Sequence, residues 1–576
     1  MIQFFKNFLR IIDNELKLKF AFLVVLMFFA TFIELFGIAL VVPVLAIIVE
    51  NDILILYPFL EPLIILLGNP SKISLVLYSI YALAFIYFLK IIFLTYLNWK
   101  QSQFVFDVEK YATEKLFSIY LKVPFNFHLK HNSSILLRNV TTEVSMISSS
   151  MTALTSLIIE ILIIIGVVFF LIYLEPFISL IVFTVVGMVN LLFYLLTKKA
   201  ITNWGNDRHI YQGNKFQDLQ QGFGAIKDIK IYGRENYFIE SYEISNRKTL
   251  KMDQYSRFIN SLPRLWMELL AAISISILIS VFIFEDRPIE ALIPTIGVFL
   301  AAAFRVMPSF NRIINSLQTI RFSQPAVEMI YNEITLFLKE NSEDISKKFQ
   351  KLEFKDKISL NEINYKYPDT NQLIVKNINL EIHKGSSIGF IGETGSGKST
   401  LLNLILGLML PSSGNISMDD NNIHNNLRGY QDLIGFVPQN IYLSDDTICK
   451  NVAFGISDKK IDIKRVNKSL EAANLLNFVN DLDKGLETFV GEEGIRLSGG
   501  QKQRIGIARA LYHNPSILVF DEATSALDIE TEKNVMEDIS ELVKDKTLLI
   551  ISHRINSLNQ CEKIYKIENG NLVSQK

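Results

Sequence analysis

The apolar positions of this chain come in blocks of two different lengths. Up to about residue 335 they form long, nearly unbroken runs. Six of these reach the roughly 20 residues that a helix needs to cross a hydrocarbon core: about Phe20–Val49, Ile73–Trp99, Met151–Tyr173, Phe177–Leu196, Leu262–Phe284 and Ile293–Ile314. The first run is too long for the apolar core of a secretory signal and reads as a retained span. From Ile358 onward the runs shorten to β-type stretches separated by turns and helices, the pattern of a soluble α/β domain. The pattern predicts a helical membrane part over 1–335, a linker over 336–356 and an α/β part over 357–576.

The links between runs give the orientation. Leu174–Pro176 and Glu285–Glu290 are short and hold one basic residue between them, Arg287. Lys100–Ser150 and Lys198–Ser261 are long and basic, the latter with Arg208, Lys215, Lys227, Lys230 and Arg234. Basic links stay on the cytoplasmic side, so both termini are expected there, with two helical excursions into the cytoplasm. The segment Ile53–Leu67 falls on the outer side, is interrupted by Pro58, Glu61 and Pro62, and is too short to span. It reads equally as an interfacial helix against the outer leaflet and as an apolar loop packed on the first two spans.

Composition adds two exclusions. Half of the chain (50 %) is hydrophobic, which excludes a disordered protein. The formal net charge of −1 offers no global field to attract nucleic acid. That −1 is a cancellation, because 1–335 holds 28 basic and 25 acidic side chains and the remainder holds 29 and 33. Cys449 and Cys561, the only two cysteines, make no disulfide framework and read as reduced cytosolic thiols.

Four cations interrupt the apolar runs: Lys90, Arg264, Arg305 and Arg312. Arg305 and Arg312 are seven residues apart, so on a helix they share a face at a spacing of about 10 Å. Glu268 follows Arg264 by four residues, a pairing distance on one helix. Two readings stay open. The cations are internal partners of Glu34, Glu160 and Glu268 or snorkel near span ends, or they line a water-filled cavity that receives an anionic headgroup. Arginine suits the second reading through its bidentate grip on phosphate.

In the polar half, the strand pattern Ser386–Ile391 runs into Gly392, Glu393, Thr394, Gly395, Ser396, Gly397, Lys398, Ser399 and Thr400. This is GxxxxGK[ST] between a strand and a helix start. The glycines let backbone N–H groups wrap phosphates, Lys398 can reach the β/γ oxygens, and the Ser399 hydroxyl can ligate Mg²⁺. A second strand, Ser516–Phe520, runs into Asp521 and Glu522. A carboxylate there suits Mg²⁺, through water for Asp521, and the adjacent Glu522 can polarise an attacking water. Between them lie Leu497, Ser498, Gly499, Gly500 and Gln501. A Ser-Gly-Gly start is by itself an ordinary helix cap. Between a phosphate loop and a carboxylate strand it reads as a second anion-binding helix start.

These motifs, in this order, resemble the ATP-binding cassette (ABC) family. Leu497–Gln501 resembles its signature sequence, Tyr367 the aromatic that stacks on adenine, and Gln439 in Phe436–Gln439 the glutamine that touches Mg²⁺ and faces the membrane part. Gly491–Gly494 resembles the X-loop of exporters, Ser525–Asp528 the D-loop, and His553 the switch histidine near the γ-phosphate. Six spans followed by one cassette resemble an ABC exporter half-transporter over the whole chain. The resemblance implies a membrane all-α six-helix exporter domain plus an α/β P-loop cassette, located in the bacterial inner membrane. It implies ATP and Mg²⁺ bound by the P-loop, Gln439, Asp521, the signature residues and Asp528, with Glu522, His553, Lys398 and Gln439 as catalytic residues. It implies a homodimer whose two ATPs each lie between one chain's P-loop and the other chain's signature, and coupling helices near Asn132–Leu137 and Gln220–Lys227. Within the family, Pro263-Arg264 and Phe304–Arg312 resemble flippases of undecaprenyl-pyrophosphate-linked oligosaccharides. That implies a role in glycan biosynthesis, with Lys90, Arg264, Arg305 and Arg312 handling the lipid-linked saccharide; Lys90 stands where those flippases carry arginine. Export of lipid A, drugs or peptides, and an ATP-gated channel or regulatory module, are alternatives on the same fold.

Overall fold

The computed structural model describes residues 2–40, 44, 47, 65, 70–284, 289–340, 350–368, 370–522, 546–553, 558 and 561–574. The chain divides into two compact units, Met1–Val123 with His128–Asn341, and Ser342–Lys576 with Pro124–Phe127.

The first unit is helical: α1 (Ile2–Ile11), α2 (Asn14–Ala39), α3 (Lys72–Lys122), the short α4 (Ser133–Arg138), α5 (Val144–Leu174), α6 (Pro176–Gly224), the short α7 (Ile226–Tyr232), α8 (Glu235–Phe284) and α9 (Ile289–Glu340). Six of them, α2, α3, α5, α6, α8 and α9, are long and apolar enough to cross a membrane. Each carries one of the six apolar runs. Most continue far beyond it: α3 has 51 residues, a length of about 76 Å against a core of about 30 Å. The end of the first run and nearly all of Ile53–Leu67 lie outside the described residues.

Local chemistry sets the joints. Glu175 alone separates α5 from α6, and Pro176 takes the first helical position, where its missing N–H costs nothing. Ser179 Oγ then donates to Leu171 O at 2.9 Å across the hairpin. Two glycines permit close crossings. A Cβ on Gly166 of α5 would stand 2.5 Å from Leu35 of α2, and one on Gly205 of α6 would stand 2.5 Å from the Phe322 carbonyl oxygen of α9. Ile38, Ile163, Val167, Leu171, Val298, Ala302 and Val306 form a shared apolar core of α2, α5 and α9. Phe85, Phe88, Ile91 and Ile92 of α3 remain exposed, a contiguous apolar surface suited to lipid rather than water.

A buried polar junction ties the long extensions together, and the sequence reading did not single it out. A π-helical turn, Asn139–Glu143, joins α4 to α5. The Glu143 carboxylate is fully buried, 3.9 Å from Arg138 Nε and from Arg208 Nη1, and 3.2 Å from His209 Nδ1. Asn139 donates to the Tyr120 hydroxyl at 2.9 Å and to Glu333 at 3.1 Å, and Tyr120 donates to Glu333. The tips of the two excursions meet where Gln220 Nε2 donates to Ser133 Oγ at 2.6 Å.

The second unit holds two sheets. The first is antiparallel in the order β2 (Val375–His383), β1 (Lys357–Tyr365), β4 (Ser413–Met418), β5 (Asn421–Asn422). The second runs β10 (Asn571–Ser574), β9 (Lys563–Glu568), β3 (Ser387–Ile391), β8 (Thr547–Ile551), β7 (Ile517–Asp521), β6 (Ile434–Val437). Its pairings are parallel except β10 with β9. Strands β7 and β8 are buried almost throughout, as expected of strands in a parallel sheet covered on both faces. Helices α10 (Lys398–Ile405) and α11 (Gly499–Tyr512) follow the phosphate loop and open the signature. Strands β3 and β7 flank β8 and run parallel to it, so their loop-bearing ends lie at one end of the sheet, where α/β folds bind ligands.

Candidate nucleotide site and membrane cation cluster

The phosphate loop leaves β3 at Gly392 and enters α10 at Lys398. Gly395 and Gly397 have φ of +84° and +106°, which side chains rarely tolerate. A Cβ on Gly392 would stand 2.5 Å from the Ile567 carbonyl oxygen, so that position is closed to other residues. Lys398 Nζ donates to the carbonyls of Gly392 and Glu393, both at 2.8 Å. Burial holds its pKa below the ordinary lysine value, against the pull of Glu522 and Asp521. The buried Ser396 hydroxyl has no hydrogen-bond partner. An orphaned donor and a desolvated ammonium on one loop fit a polyanion such as the ATP phosphates.

Strand β7 delivers the two carboxylates. Asp521 has its pKa raised by burial and by the neighbouring Glu522 charge, partly offset by Lys398. A half-buried carboxylate whose charge is disfavoured fits a nearby cation. With the exposed Ser399 hydroxyl and the Gln439 side-chain carbonyl it makes an all-oxygen set, the donor chemistry Mg²⁺ prefers. Glu522 sits at φ +50°, a strained value for glutamate, and is fixed by its N–H donating to Ile551 O at 2.9 Å. Its carboxylate is gripped from two sides: Gln439 Nε2 donates to Oε2 at 2.7 Å and His553 Nε2 lies 2.7 Å from Oε1. Gln439 and His553, selected from separate motifs, thus converge on the Glu522 carboxylate. Tyr367 lies beside the loop, its hydroxyl 3.2 Å from Thr400 Oγ1 and its ring edge-to-face with Tyr365.

The signature start is a capping box: Ser498 Oγ accepts from Gln501 N, and Gln501 Oε1 accepts from Ser498 N. Its helix is anchored by Arg509, which sequence reasoning passed over. Arg509 donates to Asn451 O and Tyr442 O, both at 2.8 Å, and stacks over Phe454. Burial brings its pKa down to about 10. The D-loop expectation, Asp528, lies outside the described residues.

Three of the four membrane cations come together, on ion-pair partners that the sequence reading named. Lys90 Nζ lies 2.7 Å from Glu34, Arg305 Nε 3.4 Å from Glu34 and Nη1 3.3 Å from Glu160, and Arg312 Nε 2.5 Å from Glu160. The cluster joins α2, α3, α5 and α9. Its carboxylates are buried, while half of the Arg312 side chain is exposed. Arg264 stands apart on α8, exposed and 3.8 Å from Glu268. An apolar cavity of about 770 Å³ opens beside Lys90, lined by Phe32, Phe36, Leu89, Phe169 and Tyr173 among others.

Residues 20–293 match the model of the ABC transporter transmembrane region, and residues 375–525 match that of the ABC transporter cassette. The chain belongs to the ABC exporters, as a half-transporter with one membrane region and one ATPase cassette. A solved structure of a bacterial Atm1-family ABC exporter with ATP bound covers 97 % of this chain and 95 % of its own, with a TM-score of 0.73 and 21 % identity, a likeness of fold. The ATP-dependent lipid A-core flippase of Alkalilimnicola ehrlichii is 27 % identical over 471 residues, covering 81 % of this chain and 78 % of that protein. The flippase of the same name from Pectobacterium atrosepticum is 26 % identical over 484 residues, covering 83 % and 81 %.

Proposed function

We propose that this chain is an ATP-driven lipid flippase of the cytoplasmic membrane, working as a homodimer with its termini in the cytoplasm. Its cargo is a glycolipid whose headgroup carries phosphate. The observation that carries the cargo reading is the membrane cluster, in which three cations face two carboxylates and Arg312 is half exposed. A positive surplus inside an apolar helix bundle is costly unless an anion uses it. The cavity beside Lys90 can take a hydrocarbon chain. Relatives named for lipid A-core favour a phosphorylated, multiply acylated glycolipid. The resemblance around Arg264 and Phe304–Arg312 keeps a polyprenyl-pyrophosphate-linked saccharide as the second reading.

In the cassette, the ATP phosphates lie on the Gly392–Thr400 loop with Lys398 on the β/γ oxygens. Ser399, Gln439 and, through water, Asp521 would hold Mg²⁺, which would supply positive charge to offset that of the phosphates. Glu522 accepts the proton of the attacking water, and His553 and Gln439 orient its carboxylate. The signature residues Leu497–Gln501 serve the ATP of the second chain.

The test is reconstitution in vesicles carrying either a bis-phosphorylated lipid A or a polyprenyl-pyrophosphate oligosaccharide. ATP-dependent appearance of the lipid A at the opposite leaflet supports the main reading. Transfer of the polyprenyl lipid alone supports the second, and transfer of neither removes both.

A further inference from the structure

Glu34 and Glu160 are not needed to hold the helices together by charge alone, because two apolar side chains of similar size do that at less cost. They nonetheless sit in ion-pair range of all three cations of the cluster. Glu160 takes Arg312 Nε and Arg305 Nη1, and Glu34 takes Lys90. Ser309, itself fully buried, accepts from the same Arg305 nitrogen at 2.9 Å. Arg305 Nε lies in ion-pair range of Glu34 but makes no directed hydrogen bond.

We propose that Glu34 and Glu160 are specificity-determining residues that stand in for the headgroup oxyanion. This deepens the flippase reading and rests on it. The two carboxylates reduce the cluster from three positive charges to one, and a lipid phosphate competes with them for the guanidinium groups. A phosphodiester, with one delocalised charge, is a poorer acceptor than a carboxylate and loses that exchange. A phosphomonoester or pyrophosphate brings up to two charges and three strong acceptor oxygens to the same donors and wins it. The carboxylates therefore exclude the singly charged phospholipids that fill the surrounding membrane and admit doubly charged headgroups. Displacement also frees Glu160 from α9, so recognition and release of the α5–α9 tie are one event.

The experiment measures lipid-stimulated ATP hydrolysis by the full chain in vesicles, comparing bis-phosphorylated lipid A with phosphatidylglycerol. The wild type is expected to respond to the first and hardly to the second. In Glu160→Gln the response to phosphatidylglycerol rises roughly tenfold, the scale of one extra charge a few ångströms away in a partly screened site. Glu160→Asp keeps the wild-type preference. Glu34→Gln leaves Glu160 between the arginines, relaxes the preference less, and carries the test if Glu160→Gln does not fold. The ratio of the two responses is the readout, since a merely structural role lowers both alike. A wild type that responds to lipid A while both glutamine variants keep its ratio overturns this inference alone. A wild type that responds to no phosphate-bearing glycolipid overturns the flippase reading and the inference with it.

Discussion

Glu522 in the cassette and Glu160 in the membrane unit are both carboxylates held from two sides, and they were reached by different routes. Glu522 is held by Gln439 and His553, each part of a short motif. Glu160 is held by Arg305 and Arg312, one helical face 145 residues further along. In the cassette, the chemistry is written locally, because backbone loops at strand ends carry it. In the membrane unit it is assembled between helices, and no local pattern says which acid meets which base.

Removing the cassette carboxylate should have the largest effect. Glu522→Gln keeps shape and hydrogen-bond capacity but loses the proton acceptor, so phosphate release should fall by roughly 10²–10⁴, while nucleotide still binds. Near-normal turnover would move the base elsewhere. The buried junction of the helical extensions comes next. Glu143→Ala leaves Arg138 and Arg208 facing each other without their shared acid, and loss of one partner of a buried pair costs roughly 3–5 kcal/mol. A thermal melt of the detergent-solubilised protein should show a clear drop; an unchanged melt would mean the junction is solvated.

Asp521 separates stability from function. Its folded pKa is raised by burial and by Glu522, so ionising it costs the fold stability relative to the unfolded chain. The stability tied to its protonated form is present at low pH and lost as pH rises through the raised value. Asp521→Asn removes that cost, so without Mg²⁺ and nucleotide it should melt no lower than wild type while hydrolysis collapses. A lower melting temperature for Asp521→Asn would contradict the sign. The smallest effect falls on Tyr367. Stacking of a base on an aromatic is worth about 1–3 kcal/mol, so Tyr367→Ala should raise the KM for ATP with little change in kcat.

The same contrast explains what the sequence disclosed. The six spans were legible because bilayer thickness fixes their length, and the P-loop because strand, glycines and lysine are contiguous. The long basic links were read as helical excursions, but how far α3 and α6 run beyond their apolar runs was not legible, since polar helices carry no hydropathy signal. The cations at 90, 305 and 312 were conspicuous for their cost in lipid, and Glu34 and Glu160 were named as partners for them. Which cation meets which acid, and that Arg264 stays outside, depends on helix crossings set by Gly166 and its neighbours. Arg509 and the Glu143 junction escaped because a buried arginine or glutamate in a polar stretch looks like any surface charge until its neighbours are known.

The central claim is that hydrolysis at Glu522 drives a phosphate-bearing lipid across the membrane. It is tested most directly by following phosphate release and lipid transfer together in the same vesicles, for wild type and Glu522→Gln. Both rates should fall together, by the same factor, when the glutamate is neutralised. Lipid transfer that continues at the wild-type rate after hydrolysis has stopped would contradict it.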